Sequence, residues 1–232
     1  MTRMLASVNS LAEAQLAYRA GADIIDLKQP AAGALGALPP EQVARIRAWC
    51  AGKIPVSATV GDLPMLPDPV FGAVQAIAAT GVDYVKIGFF PGGDWSGVAH
   101  RLTVLAECGH ALIAVLFGDA SPDPAFIPTL QQAGFAGVML DTMDKSRGSL
   151  PEILTPAEIG RFVEEARARH LLCGLAGSLR LKDIPALLRY GPDYLGFRGA
   201  LCARHHRTAE LDGEAAALIK QAIQNGAALE TA

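Results

Sequence analysis

Asp23-Ile24-Ile25-Asp26-Leu27-Lys28-Gln29-Pro30 is a short apolar run that closes on a carboxylate and an amine. In an extended strand successive side chains alternate, so Asp26 and Lys28 leave on one side while Ile25 and Leu27 leave on the other. A surface ion pair at a strand end would account for an isolated D-x-K. The pattern recurs, however: Tyr84-Val85-Lys86-Ile87-Gly88 and Gly137-Val138-Met139-Leu140-Asp141 are also apolar runs ending in a Lys or an Asp. In a closed parallel barrel one side of each strand looks inward and catalytic groups collect at the C-terminal ends. Three strands that end this way point to an α/β fold of that kind.

Outward from this stretch the chain alternates strand and helix. Leu5–Val8 reads as a first strand, with Ser10 capping an Ala-rich helix, Leu11–Ala20, that stops at Gly21. After the strand Asp23–Leu27 comes a Gly/Ala/Pro loop, Gln29–Pro39, long enough to shape a pocket. A helix from Pro40 to Cys50 precedes a third strand, Pro55–Val60. The pattern continues with a helix Val70–Ala79, a strand Tyr84–Ile87, a helix Val98–Glu107 and a strand Ala111–Leu116. Phe126–Ala133 is helical, and Gly137–Leu140 is a strand closing on Asp141, with Lys145 a loop's distance beyond. A long loop, Thr142–Thr155, leads to Thr155-Pro156-Ala157-Glu158, which has the N-cap, first-turn proline and third-position acid of a capped helix reaching about His170. Leu171–Leu175, a helix from near Lys182, Tyr194–Phe197 and a helix from about Glu210 to Gln224 complete the series. Eight strands alternating with eight helical patterns, with no linker between them, predict a single-domain (β/α)8 TIM barrel spanning residues 1–232.

Composition agrees with such a barrel. Of 232 residues 51% are hydrophobic and 19% charged, which suits strands buried on both faces. A net charge of −3 offers no electrostatic footprint for nucleic acid or a membrane surface, leaving a small molecule as the expected partner. The N-terminus lacks a signal-peptide pattern and no apolar run approaches a membrane span, so a cytoplasmic location is expected. Cys50, Cys108, Cys173 and Cys202 form no C-x-x-C pair, which argues against a zinc site and a disulfide framework. No metal and no cofactor is expected, and a homo-oligomer is compatible with these features.

Two constellations carry chemistry. Barrel interiors are filled by branched apolar side chains, so Lys28 and Lys86 are out of place unless they act at the mouth. Crowding two ammonium groups against a low-dielectric wall lowers the pKa of one and yields a neutral amine able to attack an aldehyde or ketone. Asp26 and Asp141 are candidates to move protons on the carbon skeleton of the resulting Schiff base. The alternative is that each Lys simply pairs with an Asp. The second constellation is Gly174-x-Ala176-Gly177-Ser178 and Gly196-x-Arg198-Gly199, placed after strands seven and eight, where many barrels bind phosphate through backbone N–H groups. Gly177 and Gly199 allow close approach, Ser178 adds a hydroxyl, and Arg198 is a candidate charged donor. Ordinary turn glycines are the alternative. His205-His206, flanked by Arg204 and Arg207, lack metal-pair spacing and read as a solvated loop. Phe89, Phe90 and Trp95 read as rim packing.

At these residues the sequence resembles the (5-formylfuran-3-yl)methyl phosphate synthases of methanofuran and methylofuran biosynthesis. The likeness covers nearly the whole chain. Gly21-Ala-Asp-Ile-Ile-Asp-Leu-Lys28 with Gly33-Ala-Leu-Gly36, Asp83-Tyr-Val-Lys-Ile-Gly88, Met139-Leu-Asp-Thr142 with Lys145, Gly174-Leu-Ala-Gly-Ser-Leu179 and Gly196-Phe-Arg-Gly199 carry it. The resemblance implies a barrel lyase that joins two molecules of glyceraldehyde 3-phosphate, losing phosphate and water, into a phosphorylated furan aldehyde. It also implies a Schiff-base lysine at Lys28, with Lys86, Asp26, Asp141 and Lys145 at the other active-site positions. The segment Ala203-Arg204-His205-His206 departs from the Gly-rich run expected after Gly199. A Schiff-base aldolase acting on another sugar phosphate and a barrel that only binds a phosphorylated metabolite are the rival readings.

Overall fold

The computed structural model describes residues 1–229. Eight strands close one barrel in chain order, every neighbouring pair parallel: β1 (Arg3–Val8), β2 (Ile24–Leu27), β3 (Val56–Thr59), β4 (Tyr84–Gly88), β5 (Leu112–Phe117), β6 (Gly137–Asp141), β7 (Leu172–Leu175) and β8 (Tyr194–Phe197). The ring is completed where Leu5 of β1 stands opposite Gly196 of β8. This is the (β/α)8 barrel expected from the strand–helix alternation. Around it lie α1 (Leu11–Arg19), α2 (Pro40–Cys50), α3 (Pro67–Ala78), α4 (Trp95–Glu107), α5 (Ile127–Gln132), α6 (Leu150–Ile153), α7 (Pro156–Ala168), α8 (Ile184–Leu188) and α9 (Gly213–Leu229).

Local chemistry sets the helix starts. Ser10 accepts from the Glu13 N–H, and Thr155 and Glu158 cap each other as a reciprocal pair. Two helices begin about a turn earlier than periodicity suggests. In α3, Pro67 occupies the first position, where the missing N–H has no helical partner to lose, and α4 is capped by Asp94, whose Oδ1 accepts from the Gly97 N–H at 2.8 Å. The last helix begins late, because Leu211 is held in an antiparallel bridge with Cys202. The loop after β6 also contains the unforeseen α6, entered through Ser149, whose N–H donates to Glu152 Oε2 at 2.8 Å.

Two apolar layers result. The larger packs helices on the outside of the barrel, and Phe89, Trp95, Phe126 and Phe135 meet there edge to face. The smaller fills the barrel itself with Leu5, Ile24, Ile113, Val115, Met139 and Tyr194. Leu35, from the loop after β2, folds back into this inner layer beside Phe90 and Phe117 and plugs one side of the mouth. Gly88 makes room for it, since a Cβ there would stand 2.6 Å from Phe90 and 2.8 Å from Leu35. Opposite, β7 and β8 present Ala176 and Gly196, so that side stays open. Phe89 and Trp95 thus belong to the outer layer and Phe90 to the plug.

Candidate active site

The open side of the mouth is a cavity of about 500 Å³ reaching from the interior to the surface. Its floor carries Lys28, Lys86, Asp141 and Lys145, and its wall is built from Gly177, Ser178 and Gly199. The structure therefore gathers residues from the ends of β2, β4, β6, β7 and β8 into one place.

The floor is an ordered set of charges. Asp26 lies level with Ser7 of β1 and Ser57 of β3 across the ladder, so all three enter the interior together. Its carboxylate accepts from Ser7 Oγ at 2.7 Å, Ser57 Oγ at 2.6 Å and Lys86 Nζ at 3.0 Å. Burial alone would raise the Asp26 pKa, but Lys86, Lys28 and the two hydroxyls outweigh it and hold the carboxyl below its ordinary range. Asp26 is 0% exposed, accepts from three donors on its two oxygens, and holds the Lys86 ammonium in place. Ser7 and Ser57, absent from the sequence reading, complete this clamp; only the register between strands reveals them.

Lys28 differs from the other two lysines. Lys86 pairs with Asp26, and Lys145 with Asp141 and the carbonyl of Thr142. Among the described residues the Lys28 amine forms no ion pair or hydrogen bond, although the residue is 6% exposed. Burial pulls its pKa down to about 8, with Asp141 and Asp26 opposing and Lys145 and Lys86 assisting. A useful fraction of neutral amine exists at physiological pH. Asp141 faces it: burial pushes its carboxyl up, but Lys145 and Lys28 prevail and bring it to about 2. Its Oδ1 also accepts from the Thr142 N–H at 2.7 Å.

The wall suits an oxyanion. Gly177 and Ser178 both have positive φ, 104° and 49°, and a Cβ on Gly177 would stand 2.7 Å from Thr142 Cγ2, so glycine is required there. Among the described residues, the N–H groups of Gly177, Ser178, Gly199 and Ala200 donate to no protein acceptor. Such open amides at the seventh and eighth loops form the usual phosphate cradle of barrels.

Arg198 requires a correction. Its guanidinium is wholly engaged by the protein: Nη1 and Nη2 grip Glu13 at 2.5 and 3.1 Å, and the remaining donors go to the carbonyls of Ser7, Arg207 and Ala209. All five donors are spent, so its side chain ties α1 to the eighth loop and binds no phosphate. Two other arginines reach the cavity: Arg180, at the end of the seventh loop, and Arg207, in the stretch read as solvated, which comes with His205 and His206. A basic cluster soon after Gly199, on the catalytic face of a barrel, was the sequence signal for Arg207. Among the described residues no cluster of His, Cys, Asp and Glu could hold a metal ion, and no helix is long and apolar enough to cross a membrane.

A closed parallel barrel with lysines and open backbone amides at the C-terminal mouth defines the class: a (β/α)8 TIM barrel. Solved structures of the same fold include phosphoribosyl anthranilate isomerase from Thermus thermophilus (TM-score 0.68, 14% identity, covering 97% of this chain and 99% of that one). Another is 3-hexulose-6-phosphate synthase from Salmonella typhimurium (TM-score 0.68, 16% identity, 97% and 100%). At such identity they speak for the fold alone. Residues 4–220 match the family described as 4-HFC-P synthase, and the chain belongs to that family. Among its relatives, the (5-formylfuran-3-yl)methyl phosphate synthase of Methanopyrus kandleri is 36% identical over 88% of this chain and 91% of its own. That of Methanocaldococcus jannaschii is 33% identical over 86% and 89%. A Methylorubrum extorquens protein that bears the same name provisionally is 43% identical over 97% and 92%.

Proposed function

We propose that this protein is a lyase that condenses two molecules of glyceraldehyde 3-phosphate into (5-formylfuran-3-yl)methyl phosphate through an imine on Lys28, serving methanofuran or methylofuran biosynthesis in the cytoplasm. The observation that carries the reading is Lys28: a buried, unpaired amine with a pKa of about 8, facing Asp141 in a cavity with an amide cradle. By composition, two triose phosphates equal the furan product plus one phosphoric acid and two waters. The neutral Lys28 amine adds to the aldehyde of the first triose phosphate and water departs, leaving the imine. Asp141 takes the proton from the adjacent carbon. The electron pair expels the phosphate on the next carbon, leaving an enol; the second triose phosphate isomerises to its ketone, and the terminal carbon of the enol adds to that carbonyl carbon. The terminal hydroxyl of the ketone partner then closes onto the carbonyl of the first triose, two waters leave as the furan forms, and hydrolysis of the imine frees the aldehyde and Lys28. Lys86, fixed by Asp26, and Lys145, fixed by Asp141, stabilise the oxyanions that arise. Gly177, Ser178 and Gly199 hold the phosphate that survives into product.

Incubation with glyceraldehyde 3-phosphate alone tests this. A furan-type ultraviolet absorber, appearing with released phosphate, is the expected result. A sugar bisphosphate without phosphate release would make the protein a Schiff-base aldolase, and saturable binding without turnover would make it a binding protein. Borohydride added during turnover should fix a substrate-derived mass on Lys28; the same mass on Lys86 would exchange the two roles.

A further inference from the structure

Two arginines of the eighth loop, nine positions apart, have opposite fates. Arg198 is buried with every donor spent. Arg207 is half-buried, lines the cavity, and donates once, from Nη2 to the carbonyl of Gly33 at 2.8 Å in the loop after β2. Four of its five N–H donors have no protein acceptor among the described residues, and no carboxylate pairs with it. An arginine that loses water this way without partners is poised for a planar, multiply accepting anion.

Its position is held firmly. Arg198 Nε donates to the Arg207 carbonyl at 2.7 Å, so the saturated arginine anchors the unsaturated one. Between them Arg204 and His205 adopt φ of 53° and 58°, turning the chain back over the mouth. The Gly33 bond then carries Arg207 from the β8 side across to the loop after β2, and Lys28 lines the same cavity. Asp141, on β6, attracts it from across the barrel, while the Gly177–Ser178 cradle lies on the wall between.

We infer that Arg207 is the core of a second anion subsite, distinct from the amide cradle, that takes the phosphate monoester of the triose bound to Lys28. The inference rests on the reading that two triose phosphates share the cavity, since a single phosphate would need only the cradle. The cradle keeps the phosphate that survives, and Arg207 holds the one that leaves, where a guanidinium neutralises the charge growing on the departing oxygen.

Calorimetric titration with two unreactive probes, glycerol 3-phosphate and hexitol 1,6-bisphosphate, tests the subsite without turnover. Wild-type protein should bind the bisphosphate at least about tenfold more tightly, because only it spans both subsites. In Arg207→Gln that advantage should fall about tenfold while glycerol 3-phosphate binding changes less than about threefold. Arg207→Lys, which keeps the charge but not the fork, should fall between the two. In Ser178→Ala the monophosphate should weaken instead. Equal weakening of both probes in Arg207→Gln, or no preference for the bisphosphate in wild type, overturns the subsite. Failure to form furan from glyceraldehyde 3-phosphate would overturn the reaction instead, and would leave the binding result standing.

Discussion

Replacing Lys28 with methionine should abolish catalysis and at the same time stabilise the protein. A lysine in water loses its proton near 10.5, and buried Lys28 does so at about 8. That difference corresponds to about 3 kcal/mol of disfavoured charge. The sign follows from proton binding: between pH 8 and 10.5 the unfolded chain holds a proton at this position that the folded one has lost, so stability rises with pH through that window. Below pH 8 both states are protonated and the folded protein bears the whole cost. Methionine matches the aliphatic length of lysine and removes the charge. Lys28→Met should therefore unfold about 6–12 °C higher than wild type at pH 7, at roughly 2–4 °C per kcal/mol for a chain of this size. The gain should shrink toward zero by pH 10.5. Calorimetric melting of both proteins at pH 7 and 10.5 reads it directly, because all other titrating groups are common to the pair. A difference that is the same at both pH values, or a less stable variant at pH 7, would refute the argument that burial depresses this amine.

Other outcomes follow from the same geometry. Asp141→Asn should lower kcat by about 10²–10⁴; because Asp141 is the main charge favouring the protonated form of Lys28, the pH at which borohydride trapping reaches half its maximum should also move below 8. Near-normal turnover in the folded variant would reduce Asp141 to a partner of Lys145. Ser178→Ala should raise KM more than it lowers kcat, as loss of uniform binding does, and an unchanged KM with kcat down a hundredfold would move Ser178 into the chemistry. Glu13→Gln and Arg198→Met should each cost about 3–5 kcal/mol in denaturant unfolding, since each strands a buried charge. The double replacement Glu13→Gln with Arg198→Met should cost less than the sum, and fully additive losses would deny the pairing.

What the amino-acid order determined by itself was the repeating unit and its polar endings. Apolar runs of four to six residues, spaced by capped helices, have few ways to bury both faces, and a parallel barrel is the one that uses eight of them. Because side chains alternate along a strand, Asp26, Lys28, Lys86 and Asp141 were legible as inward groups, and Gly177-Ser178 as a loop at the mouth. Closure of the barrel decided the rest. Ser7 and Ser57 became ligands of Asp26 only through the stagger of three strands, and Lys28 became the unpaired amine only because Asp26 and Asp141 were taken by Lys86 and Lys145. The two arginines show the limit most clearly. Arg198 follows a strand end and Arg207 sits in a basic loop, yet the first is saturated by Glu13, 185 residues away, and the second opens onto the cavity. Donors are allotted by distances between elements far apart in the chain, and local sequence contains no record of those distances.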